Sequence, residues 1–150
     1  MAKIIIIYAS LTGNTEEIAE LIADGIRQTG SSVDVKCVDD CNAVQLLSYD
    51  GYLLGAYTWG DGELPDEFLD FTEEMDEVDL NGSRAAVFGS GDTTYSIYCG
   101  AVDVLENKLK ECHAVVVQES LKIEYGPSKE EQDACRVFGK NFADACMTVS

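Results

Sequence analysis

Basic residues are scarce in this chain: Lys and Arg number 10 against 28 Asp and Glu, giving a formal net charge of −18. A surface that negative repels phosphate backbones and anionic lipid, which argues against nucleic acid or a membrane surface as partner. No apolar run approaches the roughly 20 residues that a membrane-spanning helix needs. The N-terminus has neither the basic region nor the cleavage site of a signal peptide, so a cytoplasmic location is expected. Histidine occurs once, as His113, and there is no C-x-x-C pair, so a usual zinc site cannot be assembled. The six cysteines, Cys37, Cys41, Cys99, Cys112, Cys135 and Cys146, are expected to be reduced thiols. Cys135 and Cys146 share a helix face with Phe138 and Phe142 and read as small core residues.

What is present is a globular pattern. The 150 residues are 46% hydrophobic, enough for one domain with a full core. Strand and helix signals alternate from end to end, with no internal repeat or low-complexity tract. Strands are expected at Lys3 to Tyr8, Ser32 to Val38, Gly51 to Tyr57, Arg84 to Gly89 and Ala114 to Val117, the last resuming at Leu121 to Ile123. Val33, Val35 and Cys37 alternate with Asp34 and Lys36, the mark of a half-exposed edge strand, whereas Gly51 to Tyr57 is apolar on both faces and central.

Helices are expected at Asn14 to Thr29, closed by Gly30, and over a short stretch from Ala43 to Leu47. A third follows Pro65, with Leu64, Phe68, Phe71 and Met75 on one face, and a fourth carries Val102, Leu105, Leu109 and Cys112. The last runs from Ser128 to Met147 and opens on the capping-box pair Ser128 and Glu131. Five strands alternating with five helices make an α/β three-layer sandwich, a parallel sheet joined by right-handed crossovers in the order 2-1-3-4-5. In such a sheet a ligand binds beyond the carboxyl ends of the strands, where the winding reverses between the first and third. That predicts a site built from three loops: Ser10 to Thr15, Thr58 to Leu64 and Ser90 to Cys99.

The first loop has no lysine, so it is not a Walker A loop, and the G-x-G-x-x-G dinucleotide fingerprint is missing as well. It offers the hydroxyls of Ser10, Thr12 and Thr15, a glycine at Gly13, and Asn14 and Thr15 at the head of a helix. An ordinary helix cap needs one hydroxyl; this cluster suits a compact phosphate dianion neutralised by dipoles instead of a cation. The second loop places the lone tryptophan, Trp59, in a polar turn between Thr58 and Gly60, where a rigid aromatic can stack on a flat ligand. The third brings backbone close at Gly89 and Gly91 and adds Tyr95 and Tyr98. Together they describe a planar, mononucleotide-like ligand held edge-on.

The Ser10–Thr15 loop, the Thr58-Trp59-Gly60-Asp61 turn and the Gly91-Asp92-Thr93-Thr94-Tyr95 loop occur in the order and spacing of the flavodoxins. The chain resembles that family, of the short-chain type, over its whole length. Flavodoxin is itself the type example of this strand order with FMN at the switch point, so the placement comes with the family. The resemblance implies FMN phosphate on Ser10, the Leu11 backbone, Thr12, Gly13, Asn14 and Thr15, with Thr58 near the ribityl chain. Trp59 would cover one face of the isoalloxazine and Tyr95 the other. Ser90, Gly91, Asp92, Tyr98 and Cys99 would contact the ring edge, mostly through backbone. Tyr57 stands where relatives often have a small hydroxyl residue; either its backbone serves, or phosphate binding is weaker.

The resemblance also implies a low-potential one-electron carrier cycling between semiquinone and hydroquinone. A Gly60–Asp61 peptide flip would present the Gly60 carbonyl to the N5 proton of the semiquinone. No Lys or Arg lies in the three loops to stabilise an anionic hydroquinone, while Asp61, Glu63, Asp66, Glu67 and Asp92 lie in or beside them. One carboxylate at roughly 10 Å, with an effective dielectric constant of about 40, costs that anion about 0.8 kcal/mol, or about 35 mV. From Asp61 to Asp79 stand ten acidic residues and no basic one; the run reads either as solvated helix surface or, as its clustering beside the proposed site favours, as a docking face for basic reductases and oxidases.

A monomeric carrier that turns over no substrate of its own is the expectation. The nearest alternative is an FMN-dependent NAD(P)H:quinone reductase-like enzyme, which would need a substrate pocket beside the ring. A response-regulator receiver would need acidic residues after the first strand and an Asp ending the third, where this chain has Ala9-Ser10 and Tyr57-Thr58.

Overall fold

The computed structural model of the chain describes residues 3–9, 13–57, 66–91, 100–124 and 128–147. Its strands are β1 (Lys3–Ala9), β2 (Ser32–Cys37), β3 (Gly51–Tyr57), β4 (Arg84–Gly91), β5 (Val115–Val116) and β6 (Leu121–Glu124). Its α-helices are α1 (Asn14–Gln28), α2 (Asp66–Met75), α3 (Gly100–Glu111) and α4 (Lys129–Met147). The strands form one parallel sheet in the order β2-β1-β3-β4-β5, with β6 also paired to β4.

The fifth strand position is split. β5 pairs with Arg84 and Ala85, and β6 pairs with Phe88 to Gly91 further along the same edge. The interruption between them is tied down by side chains: Gln118 Nε2 donates to the Phe138 carbonyl at 3.0 Å, and Ser120 Oγ donates to Glu106 at 2.7 Å. The expected short helix at Ala43 to Leu47 is present as a 3-10 helix over Ala43–Ser48, preceded by another at Val38–Asp40. Six residues close too few i→i+4 bonds to sustain an α-helix, and Val44 and Leu47 point outward at 57% and 54% exposure.

Strand alternation divides the core between the two faces of the sheet. Ile5, Ile7 and Ala9 pack with Tyr52, Leu54 and Val87 beneath α2 and α3. Ile4, Ile6, Leu53 and Phe88 pack beneath α1 and α4, which contribute Ile18, Ile22, Ile26, Phe138 and Phe142. Cys135 and Cys146 belong to this second cluster, and burial pushes both thiols up to about 11. They are core residues, as their helical spacing with the two phenylalanines indicates.

α1 and α4 lie in backbone contact. A Cβ added at Gly139 would fall on the Ile22 carbonyl oxygen, and one added at Gly25 would fall on the Arg136 carbonyl oxygen. The two glycines let each helix approach the bare backbone of the other. The ends of α4 are also fixed. Ser128 and Glu131 exchange hydrogen bonds at 3.0 and 3.2 Å in the expected capping box. Arg84 Nη1 donates to the Cys146 carbonyl at 3.0 Å, putting a cation on the negative end of the helix dipole.

His113 has a structural post. It follows α3 with a positive φ of 63°, the Ala114 N–H reaches back to the Leu109 carbonyl at 3.0 Å, and the His113 carbonyl accepts from Gly82 N–H at 3.0 Å. That is the left-handed residue of a helix C-terminal motif.

Candidate functional site

β1, β3 and β4 all end at one edge of the sheet, in register: Ala9 is opposite Ala56, and Tyr57 is opposite Ser90. The chain leaves β1 for α1 and then β2 on one side, and leaves β3 for β4 on the other, so the winding reverses between β1 and β3. The N-terminus of α1 opens at this edge.

Gly13 occupies the N-cap position with φ 90° and ψ −7°, a left-handed conformation that a side chain would strain, and as a glycine it brings no side chain of its own to the helix end. The bond from Glu17 N–H to the Gly13 carbonyl, at 2.9 Å, closes the first turn. The amides of residues 14 to 16 precede it and point along the helix axis, out of the end that carries the positive half of the dipole.

Thr15 stands in that first turn, fully buried, and its Oγ1 lies 2.8 Å from Ser90 Oγ, which is 4% exposed. The contact bridges 75 positions in sequence and joins the head of α1 to the end of β4. Alternation along β4 explains why they meet. Ala86 and Phe88 face α1 and α4, so Ser90 does as well. The first and third of the expected loops are thereby brought together at one hydroxyl pair. The sequence marks Ser90 through its backbone at the ring edge; that its side chain meets Thr15 is seen only in the structure. A hydroxyl on the buried face of a strand needs a partner, and that signal was available in the sequence.

Glu16, in the same turn, is an anion beside the place where an anion is expected. Its carboxylate accepts from the Tyr8 hydroxyl at 2.8 Å. Burial and that carboxylate push the Tyr8 phenol up to about 12, so it stays a donor. The pair ties Glu16 back to the end of β1.

Tyr57 ends β3, half-buried, and its ring packs against the cluster beneath α2 and α3. The side chain is thus engaged in packing. Asn14 is the first residue of α1, and Gly91 is the last of β4. Ser10, Leu11, Thr12, Thr58, Trp59, Gly60, Asp61, Asp92, Tyr95, Tyr98 and Cys99 lie outside the described residues.

α2 begins two residues beyond the second loop, at Asp66, and carries much of the acidic run. Asp66, Asp70, Glu73, Asp76, Glu77 and Asp79 are exposed. Among the described residues, the ion pair made by this run is Lys108 with Asp76, at 2.7 Å. The Lys108 ammonium is held above its ordinary value chiefly by its hydrogen bond to Asp76. Glu74 caps the neighbouring 3-10 turn by accepting from the Ala43 N–H at 2.9 Å. Asp66, Asp70, Glu73, Glu77 and Asp79 are solvated and extend along α2 and the turn that follows it.

The arrangement thus has a helix terminus set by a left-handed glycine, a buried hydroxyl behind it, and no basic residue in any of the three loops. Such a place fits a phosphate group held by dipoles and hydroxyls. Comparison with known proteins shows the family. The family model described as flavodoxin matches residues 6–139. The chain is 49% identical over 144 residues to "Probable flavodoxin 2" of Bacillus subtilis (strain 168), covering 95% of each protein. It is 41% identical over 134 residues to a flavodoxin of Maridesulfovibrio salexigens, covering 87% of this chain and 92% of that one. Among solved structures, oxidised flavodoxin 1 from Bacillus cereus superimposes with a TM-score of 0.91 at 50% identity, covering 95% of this chain and 97% of that one.

Proposed function

Because this chain belongs to the flavodoxin family, we propose that it is a low-potential carrier that passes one electron at a time between protein partners, shuttling between the two more reduced states of FMN. Flavodoxins are electron-transfer flavoproteins that bind FMN and turn over no substrate of their own. When bound, the flavin supplies the redox chemistry. The protein's part is to anchor it, exclude water and set the cost of each charge.

The observation that carries the proposal is the head of α1. Gly13 holds the N-cap position in a left-handed conformation, Thr15 sits buried one residue beyond the first helical position, and no Lys or Arg stands in the loops around them. A phosphate held by fixed dipoles anchors the cofactor without adding a positive charge beside it. The site therefore does nothing to stabilise further negative charge on the ring, and nearby carboxylates disfavour it. A low potential for the second electron follows. Stepwise reduction of the FMN-loaded protein should give two separate one-electron waves, with the colour passing from yellow through blue to pale. A single two-electron wave overturns the proposal.

On this reading the solvated carboxylates of α2 form the docking face. Electron carriers need encounters that are fast and brief, and a one-sign field beside the site supplies the steering without a tight complex. Partners would be basic reductases and oxidases, and the carrier would act as a cytoplasmic monomer. The rate of transfer to a small basic haem protein should fall about tenfold as salt rises from about 10 mM to about 500 mM, because steering is screened within a Debye length. A rate that ignores salt removes the docking face from the account.

A further inference from the structure

We propose that Ser90 is a positioning residue of the phosphate cradle: its hydroxyl donates to Thr15 Oγ1 and so turns the one hydroxyl proton of Thr15 towards the cofactor phosphate. The inference rests on the reading of the α1 terminus as an FMN-phosphate site and adds a role that this reading does not contain. By the family resemblance alone, Ser90 meets the ring edge through its backbone. In the structure its side chain turns the other way, into the sheet–helix interface, and stops 2.8 Å from Thr15 Oγ1.

Two hydroxyls at that distance share one proton between them and leave one over. Either oxygen can be the donor when the pair is considered by itself. An anion at the α1 terminus removes that symmetry, because it accepts from the nearer hydroxyl only. Thr15 is the nearer one. It lies in the first turn of the helix, where side chains lean towards the N-terminus, whereas Ser90 sits on the strand behind it. The low-energy arrangement is then a relay in which Ser90 donates to Thr15 and Thr15 donates to phosphate. Both oxygens are buried, so water does not compete for either bond.

The physical need for Ser90 lies in the freedom of the Thr15 hydroxyl, whose O–H rotates to suit whichever partner is near. A Thr15 proton spent on Ser90 Oγ is lost to the ligand. Ser90 gives Thr15 Oγ1 a fixed donor from the sheet side, which favours the rotamer that faces it and leaves the Thr15 proton free to point outward. The restraint comes from β4, an interior strand paired on both sides by β3 and β6 at this level, so it is rigid.

The test compares FMN with riboflavin, which lacks the phosphate, by flavin fluorescence quenching on apoprotein. S90A should weaken FMN binding five- to tenfold and leave riboflavin binding within about twofold of the parent. S90C, which fills the same space with a poor donor, should give the same selective loss and keeps the packing of the strand intact. In a T15V background, where no hydroxyl remains to be oriented, adding S90A should cost FMN nothing further. Equal losses for both flavins, unchanged FMN affinity in S90A and S90C, or an additive loss in the T15V background would each overturn the relay. Failure of the parent protein to bind either flavin is a different pattern, and it would remove the cofactor site itself along with the relay.

Discussion

Alanine at Gly139 should lower the free energy of unfolding by about 3 kcal/mol, read as a shift of the urea midpoint at unchanged slope. On an exposed helix the same change would stabilise, since alanine is favoured over glycine by up to about 1 kcal/mol in a helix interior. Here the sign reverses. The new methyl would fall on the Ile22 carbonyl oxygen, with the carbonyl carbon at 2.9 Å and Ile22 Cγ2 at 3.1 Å. Two of those three atoms are helix backbone and cannot rotate away. The only relief is to move α4 off α1, which opens gaps among Ile18, Ile22 and Phe142, all fully buried.

The consequence reaches the site, because α1 carries Thr15 and Gly13 at its head. A displaced α1 would loosen the Thr15–Ser90 contact, so Gly139→Ala should also weaken FMN binding although residue 139 is remote from the cradle. Gly25→Ala should behave alike, its methyl meeting the Arg136 carbonyl. An unchanged or raised midpoint in either variant would show that the helices have room to spare.

Cofactor removal should be the largest single perturbation of stability. A ligand that binds only the folded state adds about 4.1 kcal/mol when free at 1,000 times its Kd. For a chain of 150 residues that corresponds to a rise in Tm of about 8–16 °C between apoprotein and FMN-saturated protein. Riboflavin at the same concentration should raise Tm by clearly less, because it leaves the α1 terminus and Thr15 without their charged acceptor. Hydrogen bonds to a charged group are each worth about 1.5–3 kcal/mol, so the shortfall should amount to several degrees. Equal shifts for the two flavins would mean that the cradle makes no use of the phosphate. No shift with either would remove the FMN assignment from this chain.

The sequence carried the fold well because parallel α/β sheets write themselves plainly. Buried strands such as Ile4 to Ile7 are apolar on both faces, and the edge strand β2 alternates, so strand position could be inferred as well as strand existence. The split of the last strand was legible too, as two short apolar runs separated by Gln118 to Ser120. At Ala43–Ser48 the sequence marks a short helix but not its hydrogen-bond pattern, because six residues with a polar cap look alike in α and 3-10 form.

The site divides along a similar line. That an uncharged, hydroxyl-rich loop at the head of α1 should hold a phosphate was a matter of local chemistry: residue types, one glycine and a helix terminus. Three features depended on parts of the chain that are distant in sequence. Ser90 meets Thr15 only because β4 and α1 are brought together across the sheet. Tyr57 turns its ring into packing beneath α2 and α3, a choice made by its neighbours. Gly25 and Gly139 read as ordinary helix glycines until α1 and α4 are seen in backbone contact.

The sequence by itself therefore determined the elements, their order in the sheet, the ligand class and the acidic flank, because periodicity, turn chemistry and charge are properties of neighbouring residues. Only the tertiary structure decided which hydroxyl supports which and which glycines must stay bare. Those are contacts between segments as much as 75 or more positions apart, fixed by close packing, and no local pattern encodes them.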